Sequence, residues 1–182
     1  MKMNKFWTIA SLFIATLVVL VSGVTASAAT HKKDAQPKYL TTLPANMRGT
    51  WYAYDGDKLV TTKVTATTIT VKEEGQKTNK GTLHKYVDHN PLKMSKKEIK
   101  KTANWFFATN NPQKIHGYKW VWTYGWQQTA GSGEYYAVTT YQGHKVLTDA
   151  DGAGVWANSH SFKTKALAAK YKDAKLPKFS YR

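Results

Sequence analysis

The chain contains no cysteine, which excludes a disulfide framework, a thiol nucleophile, a thiolate metal site and a lipid-modified cysteine anchor. Acidic residues are scarce: 11 Asp plus Glu stand against 27 Lys plus Arg in 182 residues. None occurs between Glu98 and Glu134, so the aromatic segment that lies there carries no paired carboxylates for sugar hydrolysis. Metal-ligand spacing is also missing. The six histidines, His31, His84, His89, His116, His144 and His160, form no His-Glu-x-x-His pattern, and His84 and His89, five apart near a strand end, are expected to point to opposite faces. Asp149-Ala150-Asp151-Gly152 lacks the third ligand position and the terminal glutamate of a calcium loop, and reads as a turn. Ser132, between Gly131 and Gly133, lacks the strand-to-helix setting of a nucleophile elbow. The expectation is a non-enzyme without metal or cofactor.

At the N-terminus Lys2 and Lys5 precede an uncharged, mostly apolar run from Phe6 to Val24, and Ala26-Ser27-Ala28 supplies a small-residue cleavage site. This pattern predicts a secretory signal peptide over residues 1–28. The alternative is an uncleaved N-terminal membrane anchor, since Phe6 to Thr30 is long enough to span a bilayer. With cleavage, the exported chain runs from Ala29 to Arg182, 154 residues with 25 basic and 11 acidic side chains, a net charge of +14. That excess is drawn to polyanions, which for an exported protein are anionic cell-wall polymers or an anionic lipid surface rather than nucleic acid. The plain alternative is a lysine-rich surface that serves solubility. Stability without cysteine outside the cell fits a Gram-positive bacterium.

With 42% hydrophobic and 13% aromatic residues, the rest of the chain is rich enough in core formers to fold, and its length suits one domain. Residues 29–42 are polar, Lys-rich and aperiodic, and read as a flexible basic leader, with a single β-rich domain over 43–182. Short β-branched or aromatic runs at Arg48–Tyr54, Lys58–Val64 and Thr67–Lys72 form a meander joined at Asp55-Gly56-Asp57, with a further strand near Thr82–Val87. Ser95-Lys96-Lys97-Glu98 is a capping box. Ile99, Ala103 and Phe106 follow it at helical spacing, with Phe107 beside them, which predicts a helix running to Asn110-Asn111-Pro112. Strands at Glu134–Gln142 and His144–Asp149 share a Gln142-Gly143 turn. Val155-Trp156-Ala157 forms a last short apolar segment, Thr164–Lys172 a basic helix, and Pro177–Arg182 a possible edge strand. The fold class is mostly β: an antiparallel barrel-like or sandwich domain with two short helices.

The densest signal is Tyr118–Trp126, where Tyr118, Trp120, Trp122, Tyr124 and Trp126 occupy every second position. Period two places all five rings on one strand face, opposite Lys119, Val121, Thr123 and Gly125, as for a sheet that covers a core with its aromatic side. These rings either line a cavity for a small apolar or amphipathic ligand or pack into a filled core.

Gly49-Thr50-Trp51, preceded by a potential helical turn at Leu43–Met47, resembles the Gly-x-Trp opening of lipocalin-type barrels, and Met47–Tyr52, shortly after a signal peptide, resembles small uncharacterised secreted proteins of lactic acid bacteria. The resemblance implies a barrel closed at one end by Trp51, a basic residue late in the chain packed on that Trp, and a binding role. The late residue's position is left open by the sequence. Two binding surfaces follow as expectations: a ligand cavity bordered by Trp51 and the aromatic strand, and a polyanion surface formed by Lys96, Lys97, Lys100, Lys101, Lys163, Lys165, Lys170, Lys172, Lys175 and Lys178, with exposed aromatics stacking on sugar rings. The expected function is a secreted non-catalytic binding protein at the bacterial cell surface, with a hydrolase acting on cell-wall components as the alternative.

Overall fold

The computed structural model describes residues 38–111 and 114–182, so the signal peptide, its cleavage site and the start of the leader lie outside the described residues. Ten strands and two helices follow one another: β1 (Lys38–Tyr39), β2 (Gly49–Asp55), β3 (Lys58–Val64), β4 (Thr68–Glu73), β5 (Asn79–Leu83), α1 (Lys96–Thr102), β6 (Trp105–Asn110), β7 (Val121–Gly125), β8 (Glu134–Tyr141), β9 (His144–Asp151), β10 (Trp156–Phe162) and α2 (Lys165–Lys170). Strands β2 to β10 pair in sequence around a ring that closes where Phe162 of β10 meets Tyr52 of β2. The result is a closed nine-strand barrel. Closure removes the unpaired edges that an open sheet would present.

Local chemistry accounts for the antiparallel joints. Asp55 pairs with Lys58 across a two-residue turn in which Gly56 takes a φ of 59°, the left-handed conformation such a hairpin requires. Among the described strands only β5 and β6 run parallel, through Thr82↔Trp105 and Leu83↔Phe106, and parallel neighbours need a long crossover. Residues 84–104 provide it and carry α1. Beyond Phe106 the same edge of β6 is taken over by β1, through Lys38↔Asn110 and Tyr39↔Thr109, and Leu40 N–H donates to the Ala108 carbonyl. Ordered chain therefore begins no later than Lys38, inside the stretch expected to be a flexible leader.

The capped helix ends much earlier than its spacing predicts. Ser95 and Glu98 form the full capping box, but α1 stops at Thr102 and Trp105–Asn110 is strand. Phe106 faces the barrel interior over Gly81, where an added Cβ would meet its ring at 2.9 Å. Phe107, by the alternation of a strand, faces out. Two open strand edges, on β5 and β7, claim the segment's backbone, and tertiary pairing overrides the helical pattern.

The inward positions form one apolar cluster: Leu43, Met47, Trp51, Val64, Ile69, Leu83, Phe106, Ala108, Val121, Tyr136 and Leu147. The outer surfaces of β8, β9, β10 and β2 form a second, covered by α2 and the C-terminal segment, with Val146, Phe162, Ala168, Leu176 and Phe179 at its centre. The final segment is no edge strand; its backbone pairs with the sheet through a single bridge, Trp156↔Ser180.

Candidate functional site

The strand between Val121 and Gly125 turns its valine and threonine, not its aromatics, into the barrel. Val121 belongs to the interior cluster, so Trp122 and Tyr124 stand on the outer wall. The expected aromatic core face is thus the outside of a closed sheet. The physical reason is volume: a nine-strand barrel already filled by Trp51, Phe106 and Tyr136 suits small β-branched residues on its neighbouring strand.

Once outside, the five rings separate into three settings. Tyr118 stacks on Phe179 at 4.2 Å and its hydroxyl donates to the Pro177 carbonyl at 2.9 Å. Trp120, 1% exposed, lies against Tyr135 and Phe179, and its indole N–H donates to Ile115 O at 3.0 Å. These two hold down the C-terminal segment. Trp122 and Tyr124 instead pack around Phe107 with Tyr39 and Tyr86; the four ring centroids lie 4.8–6.1 Å from that of Phe107, which they bury. Tyr39 and Tyr86 stack face to face at 4.2 Å, and Trp122 N–H donates to Ser132 O at 2.5 Å. Trp126 belongs to a third group: it crosses Trp105 edge-on at 5.5 Å and stacks on His89 at 4.4 Å, while His84 stacks on Trp105 at 3.4 Å. His84 and His89 therefore meet one another's surroundings around Trp126. Strand geometry ends at Leu83, so the expectation of opposite faces no longer applies to them. Burial first, and the nearby Lys101 charge second, hold the His84 imidazole below its ordinary range.

Lysines border this wall. The exposed face of α1 carries Lys96, Lys97, Lys100 and Lys101, and Lys101 Nζ sits 5.6 Å from the Trp105 ring. Gln127 anchors the helix by donating to Ile99 O at 2.6 Å and Thr102 Oγ1 at 2.8 Å. Between Gln76 and Gly133 there are ten lysines and only two acids, Asp88 and Glu98, so the stretch of chain that supplies β5, α1, β6 and β7 is strongly positive.

The remaining expected lysines lie elsewhere and are partly engaged. Lys163 Nζ sits 3.3 Å from the Trp51 ring centroid and donates to Arg48 O at 3.2 Å; burial first and the Lys145 charge second lower its pKa. Trp51 is fully buried and its indole N–H donates to Met47 O at 2.7 Å. Lys165 approaches Tyr52 at 6.0 Å, Lys170 lies over Tyr171, Lys172 pairs with Asp57 at 3.4 Å, and Lys175 lies 5.3 Å from the Tyr181 ring. Lys178 sits at a left-handed φ of 65° in the same C-terminal stretch.

Two polar clusters escape the sequence pattern, which gives His160 no role and reads Asp149–Gly152 as a turn, although Asp149 and Asp151 lie in β9. Outside the barrel, a cleft of about 160 Å³ is bordered by Tyr54, Asn158, His160, Lys172, Lys175 and Tyr181. In its wall His160 bonds Thr148 Oγ1 at 2.8 Å and Tyr181 Oη at 2.7 Å, and burial lowers the imidazole to about 4. Inside, Tyr136 O–H donates to Glu134 Oε2 at 2.7 Å and Ser159 O–H donates to Asp149. Burial above all, with Glu134 and Asp151 adding to it and Ser159 opposing, raises Asp149 to about 6. Cross-strand pairing makes this cluster: Glu134↔Asp151 and Tyr136↔Asp149 are neighbours across β8 and β9, 17 and 13 residues apart along the chain and invisible to a spacing rule. Among the described residues no group of three or more His, Asp or Glu is placed to hold a metal ion.

No family model matches the chain, and neither a curated protein nor a solved structure does.

Proposed function

We propose that the protein is a secreted, non-catalytic binding protein of a bacterial cell surface that holds anionic wall polymers against its outer wall. The observation that carries the reading is the ring cluster around Phe107 standing outside the barrel, built largely from a stretch of chain, residues 77–132, that carries ten lysines and two acids. A polymer of sugars and anionic groups finds both partners there: flat apolar ring faces and ammonium groups. The rings are fixed by mutual contact, so little side-chain entropy is lost on binding. The lipocalin-type resemblance supports a binding role, and Lys163 over Trp51 supplies the late basic residue that this resemblance implies. The small amphipathic ligand has less support, because the interior side chains pack as one cluster and the cleft lies outside the barrel.

The test is retention of the chain from Ala29 on purified cell walls, with and without their anionic polymer, at rising salt. Contacts screened over a Debye length of about 8 Å at physiological ionic strength and about 3 Å at 1 M weaken steeply between those conditions. Equal retention on intact and stripped walls at high salt would replace the polymer with an uncharged receptor. The hydrolase alternative has less support, because the raised Asp149 stands beside Glu134 on the inner side of a packed barrel, out of a wall polymer's reach. Release of soluble fragments from walls, lost in Asp149→Asn, would establish it.

A further inference from the structure

The crossover from β5 to β6 holds most of the large apolar side chains exposed among the described residues. Leu92 is 82% exposed, Val87 56% and Ile99 44%; with Tyr39 at 42%, these are the large apolar residues that the described chain leaves to solvent. Three of the four fall between residues 87 and 99. Leu92 is presented by a 3₁₀ turn, Pro91–Lys93, in which the Asn90 side chain accepts from Leu92 N–H at 3.0 Å and Asn90 O from Lys93 N–H at 3.0 Å. It is held out by a built turn.

We propose that this crossover, from Lys85 to Lys101, docks on an anionic lipid bilayer, with Leu92 and Val87 entering the headgroup region and the flanking lysines meeting the anionic headgroups. Charge complementarity identifies the occupant. Lys85, Lys93, Lys96, Lys97, Lys100 and Lys101 line the stretch, against Asp88 and Glu98. Of the two acids, Glu98 is committed to the helix cap, accepting from Ser95 N–H and Oγ–H at 2.8 and 2.7 Å, and Asp88 accepts from Tyr86 O–H at 3.4 Å. Half-buried Tyr86 and Trp105 border the stretch, and such rings favour the membrane–water interface. A hydrated polymer gives a projecting leucine nothing apolar to enter. A second copy of the chain, docked face to face, would bring the same lysines together and repel. Among the described residues no helix is long and apolar enough to cross a bilayer, so the contact is interfacial, as for a short apolar insertion backed by basic residues. The inference does not rest on polymer binding.

The test uses the chain from Ala29, which holds both apolar clusters as the described residues form them. Co-sedimentation compares mixed phosphatidylglycerol–phosphatidylcholine vesicles with pure phosphatidylcholine vesicles. Expected is binding to the mixed vesicles only. Leu92→Asp should weaken it about tenfold or more at an unchanged melting temperature, because the site is solvent-exposed. Each lysine near an anionic surface is worth about fivefold, so Lys96→Glu with Lys97→Glu should weaken it at least about twentyfold, while Lys145→Glu on β9 leaves it within about twofold. Equal binding by the Leu92→Asp chain, equal binding to uncharged vesicles, or no binding overturns the proposal. Self-association abolished by Leu92→Asp, without vesicle binding, overturns it in favour of a second copy. Lipid-free walls are measured separately, so failure on vesicles leaves the polymer reading standing, and the reverse.

Discussion

Trp51 and Lys163 occupy the point where the barrel closes, and each depends on the other. The indole is fully buried and tied to Met47 O; the ammonium covers its face and reaches Arg48 O. Lys163 is solvent-exposed, where a cation over an indole face is worth about 0.5–1 kcal/mol, and the hydrogen bond adds about 0.5–1 kcal/mol. Lys163→Met, which keeps the stem and removes the charge, should lower unfolding free energy by about 1–2 kcal/mol in urea. Trp51→Ala should cost about 3–5 kcal/mol through lost transfer energy and an unfilled space. A Lys163→Met chain as stable as the unmodified one would show that the ammonium contributes nothing at this end. The pair was half legible beforehand: Gly49-Thr50-Trp51 marks the Trp in the chain, but its partner is 112 positions away and resembles every other surface lysine until β10 has paired with β2.

Among the elements, β7 depends on its short connection to β8. Gly133 has a φ of 69°, and an added Cβ there would run into the Thr123 carbonyl and, at 2.7 Å, the Trp122 indole nitrogen. That close approach lets Ser132 O accept from Trp122 N–H. Gly133→Ala should therefore cost about 2–4 kcal/mol, combining left-handed strain with overpacking, and loosen the rings around Phe107. Urea melts give the loss and near-ultraviolet circular dichroism the ring packing; an unchanged aromatic spectrum would contradict the link. The helix at 96–102 and the strand at 105–110 make the complementary point. The capping box reads correctly from four residues, because capping is local, whereas the strand after it depends on edges that belong to β5 and β7.

For the whole molecule, two half-buried groups set opposing pH dependences. His160 falls from about 6.5 to about 4, so unfolding takes up a proton in that window; its contribution is present above it and lost as pH falls through it. Asp149 rises from 3.8 to about 6, so the native state holds the extra proton; its contribution is present below that window and lost as pH rises through it. Each amounts to about 3 kcal/mol at full extent, and they largely offset between pH 4 and 6. Single variants separate them. Relative to the unmodified protein, His160→Gln should gain stability as buffers move from pH 7 to 4.5, and Asp149→Asn should lose it. Thermal melts across that range decide the matter: parallel curves for all three proteins would remove both groups from the account.

What the sequence determined by itself was local or periodic: strand-forming runs, the Asp-Gly hairpin, the capping box, the lysine excess, and the fact that Trp122 and Tyr124 share a face. Backbone preference and alternation act over a few residues, so they can be read in one dimension. Which face is the inside was decided by the tertiary structure alone. Closure through Phe162↔Tyr52 gave the barrel a finite interior, and Trp51, Phe106 and Tyr136 occupied it. Val121 fits the space left beside them, so the aromatic side of its strand was turned outward, around Phe107 and beside the lysines.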